Sequence, residues 1–96
     1  MNMYEENGDY VFELNQEETD KLFDPFDKYD RGLSMKDWSE GYRYMKLESL
    51  QWFERMIGQC GDTWWHKTCD RELLTREIWF LEKKHAMTFK MMFMAI

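Results

Sequence analysis

The sequence predicts an α+β fold in which a small antiparallel sheet packs against about three helices. Three observations support this prediction. An Asn-Gly pair at 7–8 separates two short apolar-rich runs, several longer stretches have helical periodicity, and the last ten residues alternate as a strand does. The N-terminal hairpin and the C-terminal strand would form the sheet, and residues 1–96 would form one domain.

The hairpin is the first predicted element. Asn-Gly accepts the two positive φ angles of a type I′ turn, so the pair at 7–8 is the expected turn. That turn places Met3 opposite Phe12 and Tyr4 opposite Val11. Three side chains of the second strand share one face, Tyr10, Phe12 and Leu14, and Val11 and Glu13 lie on the other. One of the two faces is expected to be buried.

A short helix is predicted over 16–23. Asn15 followed three residues later by Glu18 is a capping-box pattern, which marks the start. Pro25 disfavours helical geometry at the residue before it, which marks the end.

The longest predicted helix runs from Ser34 to about Gln59. Ser34 and Asp37 supply the N-terminal cap, and either Gly58 or Gly61 is expected to end the helix in a left-handed conformation. Its predicted inner face follows steps of four and three: Trp38, Tyr42, Met45, Ser49, Trp52 and Met56. That face is widened by Leu50, Phe53 and Ile57.

Two more elements are predicted after a connector that contains the adjacent indoles Trp64 and Trp65, at least one of which is expected to be exposed. A third helix is predicted over 71–84, where apolar residues recur at helical spacing and basic residues at 83–85 would complement the helix dipole. Residues 87–96 alternate, which predicts a strand.

Charge is distributed unevenly in this chain of net charge −6. Residues 1–40 contain twelve acids and four bases, net −8, whereas residues 41–96 contain seven acids and nine bases, net +2. An acidic pole disfavours direct contact with nucleic acid and favours a protein partner with a basic surface. Solubility is the alternative role of these acids.

The sequence contains neither a secretory leader pattern nor an apolar run of the roughly 18 residues that suggest a membrane span. No membrane contact is therefore predicted, and the expected location is the cytoplasm, that of the host cell if the protein is viral. In that compartment Cys60 and Cys69 are expected to be reduced thiols.

Two patterns resemble parts of metal sites. Residues 23–38 resemble an EF-hand loop in their second half, with Asp30 and Asp37 at the fifth and twelfth positions. The first half departs from that pattern, because Phe26 and Lys28 stand where oxygen ligands are needed and an arginine replaces the required glycine. A helix-loop-helix corner is the alternative explanation.

The second pattern combines sulfur and imidazole groups: Cys60, His66, Cys69 and His85. Their spacing matches no common zinc module, since those modules use closely spaced Cys or His pairs. A buried thiol explains Cys60 equally well. The four residues are weak zinc candidates, and neither a metal nor a cofactor is predicted.

Function is predicted by elimination. The sequence lacks a Gly-x-Ser-x-Gly elbow and a phosphate-binding glycine loop, so an enzyme is not expected. The leading hypothesis is a small inhibitor that occupies another protein, of the kind that phages make against host defence systems, with an acidic surface that imitates nucleic-acid phosphates. The predicted partner-binding residues are Glu17, Asp24, Asp27, Asp30, Trp64 and Trp65.

Three alternatives remain open. An immunity protein or antitoxin would cover a basic nuclease with the same acidic surface. A metal-binding module would use one of the two patterns above, and a small oligomeric ligand-binding protein or enzyme forms the third class. Self-association through the C-terminal strand or the third helix is a further hypothesis, because an apolar sheet edge is a template for pairing.

Overall fold

The computed structural model describes residues 1–24, 45–70 and 75–94. Within these ranges the strands and helices are β1 (Asn2–Glu6), β2 (Asp9–Glu13), α1 (Gln16–Leu22), α2 (Leu47–Met56), β3 (Trp64–Asp70), β4 (Thr75–Phe80) and α3 (Lys83–Met94). The predicted α+β class, with an antiparallel sheet and helices packed against it, is confirmed.

The four described strands form one antiparallel sheet in the order β1-β2-β4-β3. The pairing of β2 with β4 joins the N-terminal hairpin to the C-terminal pair of strands, with Tyr10 opposite Phe80 and Phe12 opposite Ile78. The first and the last quarter of the chain therefore meet in the middle of the sheet.

The predicted hairpin is confirmed in both turn and register. Asn7 and Gly8 have φ angles of 52° and 88°, and Met3 pairs with Phe12 as expected. Because side chains alternate along a strand, this register places Phe12 on the inner face and Val11 on the outer one.

The capping box of α1 is confirmed as well. The Glu18 backbone N–H donates to Asn15 Oδ1 at 2.8 Å, and the Asn15 N–H donates to Glu18 Oε1 at 2.9 Å. The chain leaves the helix at Phe23, which has an extended backbone. Local signals thus determine this helix at both ends.

The predicted helix from Ser34 to Gln59 is wrong in extent. Met45 pairs with Phe23 in an isolated antiparallel bridge, and α2 begins only at Leu47. The bridge buries the Phe23 and Met45 side chains in the core. The stabilisation from this burial favours the bridge over the helix that the periodicity of this part of the sequence predicts. The predicted start at 34–44 lies outside the described residues.

The buried face of α2 is also rotated from the predicted one. Phe53 and Ile57 are buried, whereas Trp52 is only partly buried and Met56 is exposed. Phe53 is held inward by aromatic neighbours, since its ring centroid lies 4.3 Å from that of Trp64. Trp38, the other indole expected in the core, lies outside the described residues.

The helix predicted over 71–84 is wrong for residues 75–80, which form β4. Every residue of β4 is buried, and the strand lies between β2 and β3 in the sheet. Arg76 and Glu77 therefore stand at buried positions, which hides the alternation that would have indicated a strand. Residues 71–74 lie outside the described part of the chain.

The strand predicted over 87–96 is also wrong, since α3 extends to Met94. Its buried side chains recur at helical spacing: Ala86, Phe89 and Phe93. The exposed Met87 and Met91 alternate with the buried Phe89 and Phe93, and this produces the apparent strand pattern. Methionine is a good helix former, so the outer positions do not oppose the helix. Residues 95–96 are outside the described ranges.

The core lies between the helices and one face of the sheet. Aromatic rings from both layers meet there, with the Phe89 centroid 5.1 Å from that of Phe12 and 5.5 Å from that of Phe53. The core cluster contains Phe12, Leu14, Leu22, Phe23, Met45, Phe53, Ile57, Trp64, Ile78, Phe80, Ala86, Phe89 and Phe93.

Within the described ranges no helix is long and apolar enough to cross a membrane.

Candidate functional site

The outer face of the sheet carries an ordered set of aromatic and charged side chains. The strand register places Tyr4, Val11, Trp79 and Trp65 side by side in one row across β1, β2, β4 and β3. The next row contains Glu13, Glu77 and Lys67. We call these seven residues the aromatic face.

The aromatic face is separate from the main core. Val11 and Trp79 are 0 % and 8 % exposed, yet neither belongs to the core cluster that joins the helices to the sheet. Trp65 and Tyr4, at the two edges of the row, are partly buried. The row therefore has a buried centre and accessible ends.

A stacked pair of indoles forms one end of this row. The rings of Trp65 and Trp79 have centroids 5.5 Å apart and an interplanar angle of 22°. Lys67 Nζ lies 4.6 Å from the centroid of the Trp79 ring, within the range of a cation–π interaction. Trp79 is thus fixed by neighbours, while Trp65 lies on the edge strand.

A buried carboxylate holds this end of the face in place. Glu77 Oε1 accepts a hydrogen bond from Trp79 Nε1 at 2.9 Å and lies 3.3 Å from Lys67 Nζ. The Glu77 side chain is 8 % exposed and that of Lys67 is 57 % exposed. A buried carboxylate is tolerated when it has hydrogen-bonding partners, and Trp79 and Lys67 supply two such donors to Glu77.

Negative charge gathers at the other end, around Tyr4. Partial burial and then the charges of Glu77, Glu13 and Glu6 raise the pKa of Tyr4 to about 12. Tyr4 also forms a side-chain hydrogen bond with Glu13. Its hydroxyl therefore stays protonated at neutral pH and donates to that carboxylate.

A second polar cluster lies on the helix-covered face. Arg76, which is 2 % exposed, donates from Nη1 to Thr68 Oγ1 at 2.6 Å and from Nη2 to His66 Nδ1 at 2.6 Å. A guanidinium has only donors, so His66 Nδ1 is the acceptor and the ring proton sits on Nε2. Burial, and then the charge of Arg76, lower the pKa of His66 to about 3.

This second cluster joins three elements. The Arg76 backbone N–H donates to Thr19 Oγ1 of α1 at 3.2 Å, and its guanidinium carbon lies 5.7 Å from the Phe23 ring centroid. A neutral histidine accepts this arginine without adding a second positive charge to the interior. The cluster therefore fixes α1 and β3 against β4.

The thiol of Cys60 lies near this cluster. Cys60 is exposed as a residue, but desolvation of its thiol raises the pKa of Cys60, against the opposing effects of a hydrogen bond at the His66 backbone and of the Arg76 charge. A raised pKa reduces the thiolate fraction at neutral pH, and the thiolate is the nucleophilic form. The environment of Cys60 thus favours the protonated thiol.

No family model, curated protein or solved structure matches the chain. The aromatic face offers an indole for apolar and stacking contacts, together with carboxylates that attract cations.

The residues predicted as zinc candidates, where the structure describes them, take part in separate contacts. His66 accepts from Arg76, and His85 lies on α3 with Nδ1 3.7 Å from Glu82 Oε2. Cys60 is an exposed free cysteine, and the side chain of Cys69 is outside the described part. Among the described residues no group of three His, Cys, Asp or Glu side chains could hold a metal ion. The EF-hand-like loop lies almost entirely outside these residues.

The predicted partner-binding residues fall into separate places. Trp64 is 0 % exposed and donates from Nε1 to the Gly58 carbonyl at 2.8 Å, so it is a core residue. Trp65 is left as the contact candidate of the pair. Glu17 and Asp24 are exposed at opposite ends of α1, on the helix side of the sheet. Asp27 and Asp30 lie outside the described residues.

Sequence reasoning missed most of the aromatic face. Two period-two pairs were the available signal: Trp65 with Lys67, and Glu77 with Trp79. The helix predicted over 71–84 places Glu77 and Trp79 on different sides and so separates the two pairs. The correct strand assignment brings both pairs to one face.

Proposed function

We propose that the chain is a small non-catalytic inhibitor that binds a basic surface of another protein through the aromatic face. The observation that carries this proposal is the stacked Trp65–Trp79 pair with carboxylates along the same face, whose charges contribute to the raised pKa of Tyr4. Blocking a nucleic-acid-binding site is the proposed mode of inhibition.

The apolar part of this face suits a protein contact. Tryptophan and tyrosine are enriched among the residues that dominate binding energy, and Trp65 and Tyr4 stand at its accessible ends. The contacts of Trp79 with Glu77 and Lys67 hold the stack in one arrangement before binding. Such preorganisation reduces the entropy lost on association.

The charged part of the face specifies the kind of partner. A surface that binds nucleic acid offers basic groups to phosphates and planar pockets to bases. Glu13 of the aromatic face, and Glu6 on the same side of β1 as Tyr4, would present carboxylates to these basic groups. The Trp65 indole would occupy a base pocket. The net charge of −6 would also accelerate association with a basic protein.

The test begins with affinity capture from the native host, with the full chain as bait and mass spectrometry as readout. We expect a basic, nucleic-acid-binding protein to be retained by the wild type and lost from both Trp65→Ala and Glu6→Lys. Glu54→Lys is the matched control, because it makes the same charge change at an exposed position of α2. Glu17→Lys tests an exposed acid of α1 that the sequence predicts to be a partner-binding residue.

The captured protein is then purified and its association rate is measured across ionic strength. Binding should slow as salt rises, because the Debye length shortens to about 8 Å at 0.15 M. Nucleic acid should compete with the chain for the same site. Capture that survives Trp65→Ala and Glu6→Lys, or that is lost from Glu54→Lys to the same degree, would contradict the proposal.

A further inference from the structure

A second surface lies on the helix side of the molecule, where α1 and α3 approach each other at Lys21 and Phe93. Lys21 Nζ of α1 lies 5.9 Å from the ring centroid of Phe93 in α3. Both helices pack on the inner face of the sheet, α1 through Leu22 and α3 through Phe89. Their outer sides therefore lie on the same side of the molecule, and we call them together the helix surface.

The α3 half of this helix surface is apolar. Met87, Met91 and Met94 are 41 %, 72 % and 76 % exposed. Steps of four and three place them on one stripe of the helix, opposite the buried Phe89 and Phe93. Exposed methionine stripes are adaptable protein-contact surfaces.

The charges of the helix surface are complementary to each other. In α3 there is no acid, and Lys83 and Lys84 occupy its first turn, where the helix dipole disfavours cations. The nearby Glu82 pairs with Lys84 at 3.3 Å, but both side chains are more than half exposed, so this pair contributes little. The outer side of α1 carries the exposed acids Glu17 and Asp20.

We propose that a second copy of this chain covers the helix surface in a two-fold symmetric dimer, with α1 of each copy against α3 of the other. In such a pair every contact occurs twice, so the acids of each α1 meet the lysines of the partner's α3. The methionine stripes are then buried between the two copies. The charge complementarity of α1 and α3 selects a second copy as the occupant.

The size of the surface sets the expected affinity. A helix of 12 residues is roughly 18 Å long and one of 7 residues roughly 10 Å, so the helix surface offers a footprint of at most roughly 20 Å by 20 Å. That is small compared with the surface of about 800 Å² per partner in stable complexes, so dissociation in the micromolar range is expected. The aromatic faces remain on the outside of the dimer, where two of them could act together.

Sedimentation equilibrium of the full chain from about 1 to 300 µM tests the dimer. The mass should rise from the 12.0 kDa of the monomer towards twice that value. The double variants Glu17→Lys/Asp20→Lys and Lys83→Glu/Lys84→Glu should each weaken dimerisation at least tenfold, because each places like charges opposite one another. Met91→Ser should weaken it without changing the charge. Circular dichroism confirms that each variant is folded.

Mixing the two double variants is the deciding measurement. In the mixed pair, acidic α1 meets wild-type α3 lysines, and basic α1 meets acidic α3, so dimerisation should return to near the wild-type strength. A wild type that stays at the monomer mass at every concentration overturns the proposal. Masses beyond a dimer, or a dimer that ignores all three variants and is not restored by mixing, overturn the two-fold arrangement.

Discussion

At the scale of single residues, charged and polar side chains inside the protein decide how it responds to pH. His66 is neutral because it is buried beside Arg76, and its pKa of about 3 lies well below the ordinary 6.5. The unfolded chain therefore binds one more proton than the folded chain between these two values. The stability that depends on neutral His66 is complete above pH 6.5 and is lost as pH falls towards 3.

His66→Gln should remove this pH dependence, because a glutamine oxygen can accept from Arg76 and does not titrate. As pH falls from 6 to 4, the unfolding free energy of the wild type should decrease relative to that of the variant by up to about 1.4 kcal/mol per pH unit. Denaturant melts of both proteins at several pH values measure this difference. A His66 ring resonance that titrates near pH 6.5 would contradict the prediction.

Tyr4 reports on the charge of the aromatic face at high pH. Its pKa is raised to about 12, so the stability tied to its neutral form is present below pH 10 and is lost as pH rises through 12. Glu13→Gln removes one carboxylate and should move the pKa of Tyr4 back towards 10. Ultraviolet titration, with Tyr4→Phe used to assign the signal, follows the change. Glu48→Gln on α2 should leave this pKa unchanged.

At the scale of elements, the sequence predicts what local chemistry determines. The Asn7-Gly8 turn and the Asn15–Glu18 capping box need only neighbouring residues, and both are found where expected. The strand β4 could not be predicted this way, because its buried Arg76 and Glu77 are stabilised by partners on other strands and helices. A pattern of polar and apolar residues does not predict the secondary structure correctly where a charged side chain is buried and its partners lie elsewhere in the chain.

The corrected face of α2 gives a stability prediction. Phe53→Ala should cost about 3 to 5 kcal/mol, because its ring is fully buried among Trp64, Phe80 and Phe89. Trp52→Ala should cost about 2 kcal/mol or less, since that indole is only partly buried. Chemical denaturation of both variants compares them. Equal losses of unfolding free energy in the two variants would support the buried face that periodicity alone predicts.

The connection between α2 and β3 depends on a glycine. Gly58 has a φ of +132°, and a Cβ there would lie 2.7 Å from Thr63 Oγ1, which donates to the Ile57 carbonyl. Gly58→Ala should therefore destabilise the protein by at least about 1 kcal/mol more than Gly61→Ala. Gly61 is the matched control because it also has a positive φ, +95°, but open space around its Cβ position. Thermal melts that rank the two variants the other way would show that the Thr63 contact does not matter.

At the scale of the whole molecule, the sheet brings together residues that the sequence keeps far apart. The aromatic face combines Tyr4 of the N-terminal strand with Trp65 and Trp79 near the other end. The uneven charge of the sequence predicts an acidic surface, and Trp65 is among the predicted contacts. The identity of its neighbours depends on the register between β2 and β4, which no local pattern specifies.

The strand order also predicts a pattern of hydrogen exchange. Amides of the central strands β2 and β4 should exchange slowest, because they open only with the whole sheet. Those of β1 should exchange faster, since this short strand pairs with β2 on one side. Exchange followed by nuclear magnetic resonance measures this directly. Protection in β1 equal to that in β4 would mean that the hairpin opens only in global unfolding.

The pairing of β2 with β4 has a consequence during synthesis on the ribosome. Tyr10 pairs with Phe80, so translation must add 70 residues after Tyr10 before its partner exists. At the usual 5 to 20 residues per second this delay is roughly 4 to 14 s. The N-terminal hairpin can close within microseconds of emerging, but its second strand then waits with an unpaired edge. A nascent chain is thus exposed to pairing with its neighbours on the same messenger RNA until β4 is made.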